Sequence, residues 1–64
     1  MTAHQFLARC RKDGLRISEV CRLAHVSLAT IYKYKRLPRR AFGADTEVAL
    51  GSALAEARKA KLAR

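Results

Sequence analysis

The sequence predicts an all-α protein, a compact bundle of four short helices. Three observations carry this. Apolar residues recur at helical spacing in four segments, and residues suited to starting or stopping a helix punctuate them. Strand signals are weak, with no hairpin dipeptide and no sustained alternation of apolar and polar residues.

The first helix is expected over about 3–13. Thr2 with Gln5 three residues on reads as a capping box, Phe6, Leu7 and Cys10 recur on one side, and Gly14 stands where a helix stops. A second helix is expected over about 17–24, with Val20, Cys21 and Ala24 inward. Its start is open between Ser18, a good cap by type, and Arg16, a poor one. Ser27 is the clearest cap and opens a third helix over about 28–36, which Pro38 ends by pushing the residue before it out of the α region. Residues 37–44, LPRRAFGA, read as a loop. Asp45 or Thr46 then caps a fourth helix over about 45–62, fraying after Ala60. Gly51 lies inside it at about 1 kcal/mol relative to alanine.

Sixty-four residues make one small domain, which buries only about 60% of the surface its unfolded chain exposes. A recognition surface suits that size better than a catalytic cleft. There is no carboxylate pair, Ser-His-Asp set, phosphate-cradling glycine loop or metal cluster, so the chain reads as a non-enzyme without a cofactor. Cys10 and Cys21 read as reduced core residues, and with His4 and His25 they match no paired metal-ligand spacing. No apolar run approaches a membrane span, and the first ten residues lack a signal-peptide layout. A soluble cytoplasmic protein is the expectation.

The net charge is +9, and it is clustered. Residues 1–40 hold ten basic and two acidic residues, net +8, whereas residues 41–64 are net +1. Such a concentrated field implies a polyanion partner, with nucleic acid the first choice. The basic residues of the last helix, Arg58, Lys59, Lys61 and Arg64, read as solubilising.

At 100° per residue the third helix divides into two faces. Thr30, Ile31 and Tyr34 fall on one side, and Leu28, Ala29, Tyr32, Lys33 and Arg36 on the other, with Lys35 at the edge. Small residues at the N-terminal tip followed by long basic ones suit a helix entering a major groove by its N-terminus. The competing reading makes Tyr32 a lid on the core and the basic run a solvated face.

ISEVCRLAHVSLATIYKYKR, Ile17 to Arg36, resembles the twenty-residue helix-turn-helix of the phage lambda-repressor and Cro-like family of DNA-binding proteins. Val20 stands at the hydrophobic fourth place of that pattern and Cys21 at the small fifth place. Ala24 and Val26 take the eighth and tenth places, and Ile31 and Tyr34 the packing positions of the recognition helix. Two positions depart: His25 stands where the family usually has glycine, and Ile17 where it often has a polar phosphate contact.

The resemblance implies an all-α bundle of four or five short helices containing a helix-turn-helix. It also implies a sequence-specific, double-stranded-DNA-binding transcriptional regulator of phage or bacterial repressor type. Leu28, Ala29, Tyr32 and Lys33 would take the base-edge positions, while Ser27, Lys35, Arg36, Arg39 and Arg40 would contact phosphate, with Arg16 substituting for Ile17. Two other classes remain: a DNA-bending recombination accessory factor of excisionase type, and a helix-turn-helix scaffold acting as a protein-interaction inhibitor.

The fourth helix carries two apolar strips. Leu50, Leu54 and Ala57, flanked by Ala53, form one, and Val48, Gly51, Ala55 and Leu62 the other. One strip covers the helix's own core; a second implies a partner, most simply a second copy in a homodimer. Two copies would suit a palindromic operator with half-sites about 34 Å apart.

Overall fold

The computed structural model describes residues 1–63. Among them are four helices, α1 (Ala3–Asp13), α2 (Ile17–Ala24), α3 (Leu28–Lys35) and α4 (Ala44–Leu62), and no strand beyond one isolated bridge between Thr2 and Ala41. Arg64 lies outside the described residues, and no fifth helix occurs within them.

Local chemistry accounts for most boundaries. Thr2 Oγ1 accepts from the Gln5 N–H at 3.3 Å while Gln5 Oε1 accepts from the Thr2 N–H at 2.9 Å, a complete capping box. α1 stops at Gly14 in the left-handed conformation, φ 65°, with the Leu15 N–H donating to the Cys10 carbonyl at 2.8 Å. α2 stops the same way at His25, φ 57°, with the Val26 N–H donating to the Cys21 carbonyl at 3.0 Å. Each stop is a Schellman turn followed by an apolar residue packed against the core. α2 opens at Arg16, not Ser18, without a side-chain cap.

His25 holds glycine's usual conformation with a Cβ, at roughly 1–2 kcal/mol of strain. Glycine there would relieve the strain but add freedom to the unfolded chain. His25→Gly is therefore expected to stabilise the domain by a net ~0.5–1 kcal/mol, read as a thermal midpoint a few degrees higher. An unchanged or lower midpoint would show that the strain at His25 does not exceed the freedom glycine adds to the unfolded chain.

α4 departs from expectation at its start. Gly43, in extended conformation, is the N-cap, so the helix begins before Asp45 and Thr46. Asp45 and Glu47 then lie in the first turn, where carboxylates favour the exposed N–H groups. Glu47 also accepts from the Met1 ammonium at 2.6 Å.

The core joins all four helices through Ala3, Phe6 and Cys10 of α1, Val20, Cys21 and Ala24 of α2, Ile31 of α3, and Leu50, Ala53, Leu54 and Ala57 of α4. The α4 strip expected to face inward does so. Phe42 completes the core from the segment 37–44, whose composition predicts only a loop. Its ring meets Phe6 edge-on at 6.4 Å and lies 4.8 Å from the Tyr34 ring. Its N–H donates to the Met1 carbonyl at 2.9 Å, so the segment before α4 runs back along the start of the chain.

Lys61 is a second correction. Expected to be only solubilising, its Nζ donates to the carbonyls of Asp13 and Gly14 at 2.9 and 3.2 Å, capping the C-terminus of α1 from 47–48 residues away. A Cβ at Gly14 would collide with that ammonium, so glycine there serves both the turn and the cap.

No helix of the described residues is long and apolar enough to cross a membrane.

Candidate nucleic-acid interface

α3 is built to show one face. Ser27 Oγ accepts from the Ala29 N–H at 3.1 Å, and the Ser27 carbonyl accepts from Thr30 at 3.0 Å. These bonds start the helix without any neighbour's help. Ile31 is buried, and Tyr34 is half-buried under Phe42. With that side held, the opposite side faces solvent: Leu28 is 37% exposed and Tyr32 52%, and Ala29, Lys33 and Arg36 are exposed as well.

All four residues expected at base edges, Leu28, Ala29, Tyr32 and Lys33, thus share the open face of one helix. The six expected at phosphates are also exposed. Lys35, Arg36, Arg39 and Arg40 follow one another through the end of α3 and the turn after it, which the Arg40 N–H closes onto the Leu37 carbonyl at 2.9 Å. Arg40 is oriented further by the Tyr34 ring, 5.8 Å from its guanidinium. Among the described residues no carboxylate is paired with any of these cations. Ser27 is the last residue of the turn between α2 and α3.

Arg16 stands just before α2, and its side chain makes no capping bond. It shares a surface cleft with Ser18, Glu19 and Arg22. Ile17 is half-buried and packs against the core.

Two basic residues escaped sequence reasoning. Arg22 borders the cleft beside Arg16. Arg11 of α1 borders a shallow groove of about 260 Å³ with Tyr32 and Lys35, floored by Leu7, Cys10, Leu15 and Ile17. Only the crossing of α1 and α3 brings Arg11 there, so its sequence context held no signal. Tyr32 thus lines the groove while remaining half exposed.

The remaining polar chemistry is quiet. Burial, with the Cys21 thiol and the Asp13 carboxylate behind it, pushes the Cys10 thiol up to about 11, and burial raises Cys21. Both thiols stay protonated at neutral pH and behave as small core residues. His4 and His25 lie exposed, away from that core, and no cluster of three or more metal-ligating side chains occurs among the described residues.

No family model, no curated protein and no solved structure matches this chain.

Proposed function

We propose that this protein is a sequence-specific double-stranded-DNA-binding regulator that reads the major groove with α3. The observation that carries this is the open face of α3. Small and apolar residues at its N-terminal tip, Leu28 and Ala29, give way to Tyr32, Lys33 and a run of unpaired cations through Arg40. Apolar tips can meet a thymine methyl, a lysine can donate to guanine O6 and N7, and the trailing cations suit phosphates. In this reading α2 and α3, joined by the left-handed turn at His25, form a helix-turn-helix of the lambda-repressor and Cro-like kind. The clustered charge supports the same partner.

The test is selection of bound sequences from a random duplex pool at near-physiological salt. A defined consensus is expected, and a palindrome would report two copies bound about one helical turn apart. A strong bend with weak sequence preference would point instead to an architectural accessory factor, and no enriched site at all to a protein-binding role.

The two kinds of contact separate by mutation. Lys33→Ala is expected to weaken binding to the selected site by about 1–3 kcal/mol and to relax preference at one base pair. Arg39→Ala should weaken selected and random duplexes alike. Titration of both variants against both duplexes checks this; the same uniform loss from both would overturn the assignment.

A further inference from the structure

We propose that the groove between α1 and α3 is a binding site for a small organic anion with a flat apolar body, of the aryl carboxylate class, and that its occupancy excludes DNA from α3. The site itself is read on DNA-free protein. Only the exclusion rests on the DNA-binding reading of α3, and the experiment separates the two.

Three helices build the groove. Leu7, Cys10 and Arg11 stand three and four residues apart and so share one face of α1. Tyr32 and Lys35, three residues apart, share the side of α3 that meets it. Leu15 and Ile17 complete the floor from the turn between α1 and the start of α2. Leu7, Leu15 and Ile17 pack against the core, and Cys10 is 1% exposed. The Cys10 thiol, pushed up by burial, adds no charge to the floor at neutral pH. Side chains already held by the core lose little freedom when a ligand covers them, so the floor is preformed.

The rim is of one sign. Arg11 and Lys35 are exposed cations, and no carboxylate lines the groove. Neither cation is in an ion pair among the described residues. Two cations over one apolar floor raise the local potential and favour an anion held between them. The planar fork of an arginine matches a carboxylate through two parallel bonds. Tyr32, 52% exposed, offers a ring for stacking and a phenol that can donate to the same carboxylate. A ligand must have both parts to use the whole groove: an inorganic anion meets only the rim, and a neutral hydrocarbon only the floor.

Size narrows the class. Sites for drug-sized ligands run to about 300–1,000 Å³, whereas this groove is about 260 Å³. It suits one or two fused rings, not a nucleotide. A larger groove of about 340 Å³ lies on the other side of α1, along Gly51, Ala55 and Leu62 of α4. Arg9 and Arg58 border it, but Asp13 lines it too and opposes an anion there.

Occupancy bears on α3 directly. Tyr32 is assigned to a base edge and Lys35 to a phosphate, so a carboxylate in the groove engages two groups that DNA needs. Ligand and DNA then compete, and each weakens the other by the same factor.

An amide NMR titration of the isotope-labelled chain with naphthoate tests the site at constant ionic strength. Naphthamide supplies the ring without the charge, and acetate the charge without the ring. Naphthoate should shift the amides of Leu7, Arg11, Leu15, Tyr32 and Lys35, with a Kd of roughly 0.1–1 mM. Both controls should bind at least about tenfold more weakly. Arg11→Gln removes the charge at an exposed position and should weaken naphthoate about tenfold with an unchanged melt, while Arg58→Gln should leave it unaltered. No saturable shift below about 10 mM, an equal response to either control, or shifts centred on Leu54 and Arg58 would overturn the site. Naphthoate at about ten times its measured Kd should then weaken binding to a random duplex by about tenfold. Unchanged duplex affinity, or no duplex binding at all, would overturn the exclusion. The first outcome spares the DNA-binding reading and the second sinks it, and neither alters the naphthoate result.

Discussion

Phe42→Ala is expected to leave the domain largely unfolded. Phe42 is 4% exposed and joins three parts of the molecule: Phe6 of α1, Tyr34 of α3 and the start of the chain through the Met1 carbonyl. Truncating a buried phenylalanine costs about 3–5 kcal/mol through lost transfer energy and the cavity left behind. A domain of this length has about 3–10 kcal/mol in total. The loss is therefore comparable to the whole stability. Phe42→Leu keeps most of the volume and should cost far less, under about 1.5 kcal/mol if neighbours repack. Thermal and urea melts followed by circular dichroism check both. A Phe42→Ala melt within a few degrees of the parent would show that the ring is not a core junction. Its consequence for function follows from the same contacts: Tyr34 rests on Phe42, and Tyr34 with Ile31 sets the rotation of α3 about its axis.

DNA affinity is expected to fall by roughly 500-fold between 50 and 200 mM salt. The estimate comes from five cations assigned to phosphates, Arg16, Lys35, Arg36, Arg39 and Arg40, each releasing about 0.9 counterion from B-form DNA. A logarithmic plot of affinity against salt should then have a slope near −4.5. Removing Arg39 should bring the slope toward zero by about 1. Arg40→Ala should do the same and also lower stability slightly, because its guanidinium rests over the Tyr34 ring. Titrations on a random duplex suffice, since phosphate contacts do not depend on sequence. A slope shallower than about −2 would mean that fewer than half of these cations meet the backbone.

How much of this was legible in advance depends on the range of each interaction. The Thr2–Gln5 capping box spans three residues, Ser27 caps two residues on, and the Gly14 and His25 stops lie within six-residue turns. All are written in neighbouring residues, and all four helices stand close to where those signals put them. The split of Tyr32 from Tyr34 is equally local, because two residues of a helix differ by about 200° whatever surrounds it. The strip Leu50–Leu54–Ala57 likewise announced the buried face of α4 by periodicity.

Other features had no such signature. Phe42 sits in a stretch of loop composition, and only the return of that stretch along Met1 and Thr2 buries it. Lys61 looks like any other basic residue of a helix end until α4 crosses the end of α1. Asp45 and Thr46 are good caps by type, yet the helix opened earlier, at Gly43, where Glu47 in the first turn also meets the Met1 ammonium. Arg11 joins the groove beside Tyr32 only because α1 lies against α3.

The division has one physical origin. Hydrogen bonds within a turn and the 3.6-residue period act over a few residues, so composition and order alone establish four helices, the stop at Gly14 and the division of α3 into two faces. Burial is non-directional and acts wherever chain segments meet, so the packing of the whole molecule chose Phe42 as the bolt between α1 and α3 and Lys61 as the cap on α1.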